Sequence, residues 1–208
     1  MRLCIIDTGS ANLNSVAQAC QRLRLQPEIS SDPEVLDKAQ ALILPGVGSA
    51  SSIMRGVREH KLEDFITKVK VPLLGICLGM QIMSQGSEEV PQGADTGESF
   101  IPTLGLVAGR TQKLKGAGLR LPHMGWNSVE HSDHPLFLGI RQGAFFYFDH
   151  SYAVEIGDCT IGVCEYGQRF SAALARDNFM GVQFHPEKSG PVGERLLQNF
   201  FELTGDVA

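Results

Sequence analysis

The sequence predicts an α/β domain with a mostly parallel central sheet and an antiparallel extension in its C-terminal half. In the first half, short apolar strands alternate with segments of helical periodicity, which is typical of βαβ units and of a parallel sheet covered on both faces. In the second half, short strands separated by turns predominate. No linker or internal repeat divides the chain, so residues 1–208 are expected to form a single domain.

Strands and helices of the first half follow from the spacing of apolar residues. The predicted strands are residues 2–6, 27–30, 41–44 and 73–76. Helical periodicity predicts helices at residues 12–25, 51–60 and 61–69, and one that begins at Leu78. Asp32 followed by Pro33 matches an N-cap with proline at the first helical position, so a short helix is expected there. Pro45 and Gly46 are expected to end the third strand.

The second half is predicted as a loop, a series of short strands and a closing helix. Residues 86–100 are polar and rich in glycine, which indicates a loop. The strands expected after it are residues 105–109, 126–130, 144–152, 160–165, 170–176 and 180–184. Residues 192–203 have the periodicity of a helix.

Composition argues against several classes of protein. The chain has 18 Lys and Arg against 23 Asp and Glu, whereas nucleic-acid binding needs clustered cations; the densest basic stretch, residues 113–120, is broken by glycines. No apolar run approaches the ~18 residues of a membrane-spanning helix, and the apolar start is too short for a signal peptide. Five cysteines without a CxxC pattern argue against a disulfide scaffold. We therefore expect a cytoplasmic protein that binds neither nucleic acid nor membrane.

Cys77 is the candidate nucleophile. It lies in Gly-Ile-Cys-Leu-Gly, between a predicted strand and a predicted helix, which is the thiol version of a nucleophile elbow. A Cβ at Gly75 or Gly79 would crowd the neighbouring backbone of such a turn. The helix N-terminus favours a thiolate, and the N–H of Leu78 is free to donate to an oxyanion. The alternative is a core cysteine beside two incidental glycines.

The candidate base is His185, with Glu187 as the residue that orients it. Pro186 keeps His185 extended, and side chains two apart in an extended segment face the same way. The carboxylate can then hold the imidazole tautomer and stabilise the imidazolium. The alternative is a surface turn. A Cys-His-Glu triad is preferred because both patterns occur in one α/β chain.

Two other patterns have competing interpretations. The Pro-Gly-Val-Gly turn can expose N–H groups of Gly46, Val47 and Gly48 to an oxyanion; its lack of a third glycine argues against a dinucleotide loop. The histidines His123, His131 and His134 lack cysteine partners and the i, i+4 spacing of metal ligands, so no metal is expected.

Together these segments resemble the class I (triad) glutamine amidotransferase family. Within it, the chain is similar to the glutaminase subunits of imidazole glycerol phosphate synthases, which serve histidine biosynthesis. The markers are Asp-Thr-Gly at 7–9 with Asn-Leu-Asn-Ser at 12–15, Pro-His-Met-Gly-Trp-Asn at 122–127, Phe-Asp-His-Ser-Tyr at 148–152, and His-Pro-Glu-Lys-Ser at 185–189. The resemblance covers essentially the whole chain and implies a flavodoxin-like three-layer fold.

The resemblance also implies roles for single residues. Cys77, His185 and Glu187 would form the triad, and no cofactor is needed. The remaining roles are substrate binding by Gln81, Glu89, Ser151 and Tyr152, a movable oxyanion strand at Gly46, Val47 and Gly48, and partner contact by Trp126, Asn127 and Lys188. Asp149 departs from the family, which usually has an apolar residue there.

The implied reaction is hydrolysis of L-glutamine to glutamate and ammonia. Ammonia would pass to a separate cyclase subunit, a (βα)₈ barrel, in a heterodimer that makes imidazole glycerol phosphate and an aminoimidazole carboxamide ribotide. The alternatives are the amidotransferase subunit of another synthase, such as anthranilate synthase, and a non-catalytic scaffold subunit. The presence of all three triad residues argues against the scaffold.

Overall fold

The computed structural model describes residues 1–9, 12–90, 100–115 and 118–205. The helices are α1 (Leu13–Arg22), α2 (Pro33–Leu36), α3 (Ala50–Glu59), α4 (Glu63–Lys68), α5 (Leu78–Gln81) and α6 (Gly190–Glu202). The strands are β1 (Leu3–Ile6), β2 (Glu28–Ser30), β3 (Ala41–Gly46), β4 (Leu73–Cys77), β5 (Gly86–Ser87), β6 (Ile101–Pro102), β7 (Thr111–Lys113), β8 (His123–His131), β9 (Ala144–His150), β10 (Tyr152–Val154), β11 (Thr160–Glu165), β12 (Arg169–Arg176) and β13 (Phe179–Val182). Residues 91–99 of the loop predicted at 86–100, and residues 116–117 of the basic stretch, lie outside the described residues.

In the described part of the chain, nine strands form the central sheet, in the order β2-β1-β3-β4-β13-β12-β11-β8-β9. The strands from β2 to β13 are parallel. From β13 outward, every neighbouring pair is antiparallel. The predicted α/β class is confirmed, and the antiparallel part is as large as the parallel part. Because β13 pairs with β4, a segment late in the sequence lies beside the strand that ends at Cys77.

Both faces of the central sheet are covered, which gives three layers. Along β1, Leu3 and Ile5 belong to one apolar cluster, whereas Cys4 and Ile6 belong to the other. This alternation follows from the two-residue period of a strand. The first cluster includes buried residues of α1 and α6, and the second includes buried residues of α3 and α4.

Two local predictions are wrong. Residues 105–109 were expected to be a strand, but Gly105 and Gly109 both have positive φ values, at 65° and 104°, so the chain turns and pairing resumes at β7. Pro45 and Gly46 were expected to stop β3, yet they continue it and pair with β4. A proline is tolerated here because it lies at the end of the strand, where few ladder hydrogen bonds remain to be lost.

Segments at the sheet margin also differ from prediction. Within the loop expected at residues 86–100, Gly86–Ser87 forms the short strand β5. The single strand expected at 144–152 is divided after His150: β9 pairs with β8, whereas β10 pairs with β7 in a second, four-stranded sheet. The chain therefore changes sheets at Ser151. The N-cap prediction at Asp32 is confirmed, since its side chain accepts from the N–H of Glu34 at 2.9 Å.

Candidate active site

The site lies where the parallel strands β3, β4 and β13 end. Carboxyl ends of parallel strands meet at one edge of a sheet, and such edges are the usual ligand sites of open α/β folds. Gly46 ends β3 opposite Cys77 at the end of β4. His185 follows β13, which pairs with β4 on its other side. The topology thus brings residues from three distant segments together.

Cys77 occupies the strained turn that the sequence predicts. Its φ and ψ are 54° and −109°, outside the regions favoured by L-residues. A Cβ at Gly75 would lie 2.8 Å from the N of Met80, and one at Gly79 would lie 1.8 Å from the carbonyl oxygen of Leu44. Both glycines are therefore required by close backbone approach. The following helix, α5, has only four residues, so its dipole stabilises a thiolate less than that of a longer helix would.

His185 and Glu187 form a buried pair. The Nδ1 of His185 lies 2.8 Å from Oε1 of Glu187, and their side chains are 5% and 1% exposed. Because a carboxylate only accepts, Nδ1 donates this hydrogen bond, and Nε2 remains available to the sulfur of Cys77. The extended backbone of His185, with φ −100° and ψ 96°, agrees with the geometry expected before Pro186.

The environment of His185 favours its protonated form. Burial lowers the pKa of the ring, but hydrogen bonds to Cys77 and Glu187 and the charges of both groups outweigh it and raise the pKa to about 10. An imidazolium held in this way can pair with a thiolate. In contrast, burial raises the pKa of the Cys4 thiol, and raises those of Cys20 and Cys164 to about 12.

A cavity of about 320 Å³ opens beside the triad. Most of the residues expected to bind substrate or an oxyanion line it: Val47, Gly48, Leu78, Gln81, Glu89, Ser151 and Tyr152. Gly46 does not line this cavity. It lies behind the wall, where a Cβ would come within 3.0 Å of the N of Gly79, and it borders a smaller void of about 10 Å³.

Two polar side chains of the cavity wall are held by backbone groups. Oε2 of Glu89 accepts from the N–H of Ala50 at 2.7 Å, and burial raises the pKa of Glu89 although this hydrogen bond opposes the shift. Nε2 of Gln81 donates to the carbonyl of Tyr152 at 2.7 Å. These contacts orient two of the side chains that the resemblance assigns to substrate binding.

Sequence reasoning missed two contacts of Cys77. Nε2 of Gln183 lies 3.7 Å from its sulfur, and the carbonyl oxygen of Asp149 lies 3.9 Å from it on another side. Asp149 also lines the cavity. Gln183 and His185 are also two residues apart in an extended segment, so their side chains face the same way. This spacing could have indicated from the sequence that Gln183 lies near the site.

Of the residues expected to contact a partner, Lys188 lines the cavity of the site, whereas Trp126 and Asn127 do not. Trp126 on β8 is 55% exposed, and its neighbours Met124 and Phe145 are 61% and 51% exposed. Lys188 is exposed, lines the cavity and places its Nζ 5.6 Å from the ring centre of Tyr147. Asn127 is half-buried instead, because its Nδ2 donates to the carbonyl of Glu165 at 2.9 Å.

The three histidines considered as metal ligands have other contacts. His123 stacks between Phe148 and Tyr166, with centroid distances of 4.8 Å and 4.0 Å. His131 stacks on Phe137, and His134 accepts from the N–H of Leu136. Within the described ranges, no group of three or more His, Cys, Asp and Glu side chains is arranged to hold a metal.

A family model described as glutamine amidotransferase class-I matches residues 4–203. The chain belongs to the class-I glutamine amidotransferase family. The match includes Cys77, His185 and Glu187, so the edge of the sheet described above lies wholly inside the family domain. No helix in the described part of this amidotransferase is long and apolar enough to cross a membrane.

Relatives and solved structures agree with this family. The amidotransferase is 52% identical over 200 residues to the imidazole glycerol phosphate synthase subunit HisH of Vibrio cholerae, covering 96% of this chain and 97% of the relative. It is 48% identical to the subunit of the same name from Escherichia coli K12, covering 98% and 100%. A solved glutamine amidotransferase has a TM-score of 0.74 at 20% identity, over 99% of this chain and 100% of that one, which shows the shared fold.

Proposed function

We propose that this chain is the glutaminase subunit of an imidazole glycerol phosphate synthase. The observation that carries the proposal is that Cys77 and His185 meet at the wall of one cavity, with Glu187 hydrogen-bonded to His185, in a chain about half identical to HisH subunits over nearly its full length. The substrate is L-glutamine, and the products are glutamate and ammonia.

The reaction begins with attack of the Cys77 sulfur on the side-chain carboxamide of glutamine. The carbonyl oxygen gains negative charge, and the C–N bond breaks as His185 gives its proton to the departing ammonia. Glu187 holds Nδ1 of His185, so that Nε2 remains directed at the reacting atoms. The product of this half-reaction is a γ-glutamyl thioester on Cys77.

Water then hydrolyses the thioester. His185, now neutral, takes a proton from the water, which attacks the thioester carbonyl and releases glutamate. In both steps the oxyanion needs donors, and Leu78 and the Val47–Gly48 turn, whose N–H groups are assigned that role, line the cavity where it forms. One such donor contributes about 3 kcal/mol to a transition state, or roughly 10²–10³ in rate. In this proposal, rotation of the Val47–Gly48 turn switches hydrolysis on.

Ammonia passes to a cyclase partner, a (βα)₈ barrel, in the proposed heterodimer. Trp126, Asn127 and Lys188 are assigned to that contact, which is supported by the exposed apolar side chains of β8 and β9 and by the position of Lys188 in the cavity wall. The proposal treats residues 1–208 as one domain, since the central sheet contains strands from both halves of the chain. It also places the enzyme in the cytoplasm.

The test measures glutamate release by the full chain alone, with the cyclase subunit, and with cyclase and ribotide. We expect little release by the chain alone and strong release with both partners present. Cys77→Ala is expected to abolish glutaminase activity yet leave synthesis from added ammonium salt intact. Release coupled to anthranilate formation instead would indicate another synthase. A complex that forms without any glutamine hydrolysis would indicate a scaffold subunit.

A further inference from the structure

Gln81 and Gln183 form a hydrogen-bonded pair beneath the catalytic cysteine. Nε2 of Gln81 lies 2.7 Å from the carbonyl oxygen of Tyr152 and 3.0 Å from Oε1 of Gln183. A main-chain carbonyl can only accept, so the Gln81 atom that faces it must be the amide nitrogen. The second hydrogen of that nitrogen then requires an acceptor, and Oε1 of Gln183 provides it.

This arrangement determines which end of the Gln183 amide faces the sulfur. With Oε1 turned to Gln81, Nε2 of Gln183 points at Sγ of Cys77 and lies 3.7 Å from it. The orientation of an amide is otherwise assigned from its surroundings, and here the neighbours leave one choice. Gln183 is completely buried, so water does not compete for its donor.

Further hydrogen bonds fix the position of the Tyr152 carbonyl. Nδ1 of His150 donates to the Tyr152 oxygen at 2.8 Å, so Nε2 of His150 accepts from Nδ1 of His123 at 3.1 Å. Nε2 of His123 in turn faces Nδ2 of Asn127 at 3.3 Å. Burial lowers the pKa of His123 to about 4 and that of His150 to about 3, so both rings are neutral at neutral pH and keep this direction.

We propose that Gln183 is a further catalytic residue, whose Nε2 donates a hydrogen bond to the thiolate of Cys77 and holds the sulfur in place for attack. The proposal rests on the function proposed above. The thiol form has a different partner, since its S–H is directed at the carbonyl of Asp149. A donor stabilises a thiolate, whereas a carbonyl acceptor stabilises the thiol. Gln183 therefore favours the nucleophilic form.

The test is the rate at which iodoacetamide alkylates Cys77, followed by peptide mass spectrometry between pH 5 and 10 on the full chain. Gln183→Met keeps the length of the side chain and removes the donor. We expect alkylation about tenfold slower at neutral pH and a pH midpoint shifted upward, because hydrogen bonds to charged groups are the stronger ones. In the complex, kcat for glutamine should fall similarly while KM changes less than about threefold.

Asn199→Leu is the matched control. Asn199 is also a buried amide, but its Nδ2 donates to the carbonyls of Leu136 and Leu138, away from the cavity. This variant should unfold at a lower temperature while Cys77 alkylates at the wild-type rate. A folded Gln183→Met protein with the wild-type rate and pH midpoint would overturn the proposal.

Gln183→Asn is the second test variant, to be used if Gln183→Met does not fold. It keeps a polar amide but withdraws the donor by one methylene, so the same slowing is expected, and a wild-type alkylation rate would refute the role of Gln183. Alkylation does not depend on glutamine turnover. If the wild-type complex fails to hydrolyse glutamine while Gln183→Met still slows alkylation, the proposed function fails and the role of Gln183 stands.

Discussion

Replacing Gly79 with alanine should disable the site through the backbone. The new Cβ would lie 1.8 Å from the carbonyl oxygen of Leu44, a separation that must open to at least the 3.0 Å below which real Cβ atoms essentially do not occur. Strand β3 and helix α5 must therefore part by about 1.2 Å. Overpacking of this size costs about 3 kcal/mol. For a chain of this length that lowers Tm by about 6–12 °C.

The same shift acts on catalysis. Leu44 belongs to β3, which leads into the Val47–Gly48 wall of the cavity, and a misplacement of about 1 Å costs roughly 10² in rate. Gly157→Ala is the control, because nothing lies within 4 Å of its added Cβ, and its stability should change by less than about 1 kcal/mol. Thermal unfolding and glutamate release in the complex measure both effects. A Gly79→Ala protein with wild-type Tm and activity would show that the close approach is not required.

Four further predictions concern polar residues of the site and the exposed Trp126. His185→Ala should lower glutamine turnover more than Glu187→Gln, and equal loss in both would contradict the role of Glu187 in orientation. Because folding raises the pKa of His185 from 6.5 to about 10, protonation of this ring stabilises the fold fully below pH 6.5, and the stabilisation is lost as pH rises to about 10. Denaturation at several pH values should show that Glu187→Gln loses less stability over this pH range. Burial raises the pKa of Glu89, so kcat/KM should decline as pH falls through this raised pKa and the carboxylate gains a proton. Glu89→Gln should raise KM at all pH values. Trp126→Ala should weaken binding to the cyclase subunit in a titration without lowering Tm, since the side chain is 55% exposed.

Local stereochemistry made part of the site predictable. The Gly-x-Cys-x-Gly pattern spans five residues and predicts the elbow, although the contact that requires Gly79 comes from Leu44 on the neighbouring strand β3. His185 and Glu187 are two residues apart in an extended segment, so their meeting at 2.8 Å needs no long-range information. The alternation of apolar strands and helices likewise predicted the α/β class.

Pairing between distant strands decided the features that sequence reasoning missed. Pro45 and Gly46 look like a strand end, but β4 lies alongside and extends β3 through both. Residues 105–109 look like a strand, but two positive-φ glycines turn the chain, and its backbone hydrogen-bonds to residues 83–85 after α5 and not to a strand. Strand preference depends on neighbours more than on the residues themselves.

Spacing over a few residues is enough to predict the elbow at Cys77 and the pairing of His185 with Glu187, and the alternation of strands and helices along the first half is enough to predict the layered α/β fold. The amide that faces the sulfur of Cys77 could be found only in the folded molecule. Gln81 and Gln183 are separated by 102 positions, and the direction of their hydrogen bond depends on the Tyr152 carbonyl at the point where the chain changes sheets. A hydrogen bond takes its polarity from every partner in its network, and those partners come together only when the chain has folded.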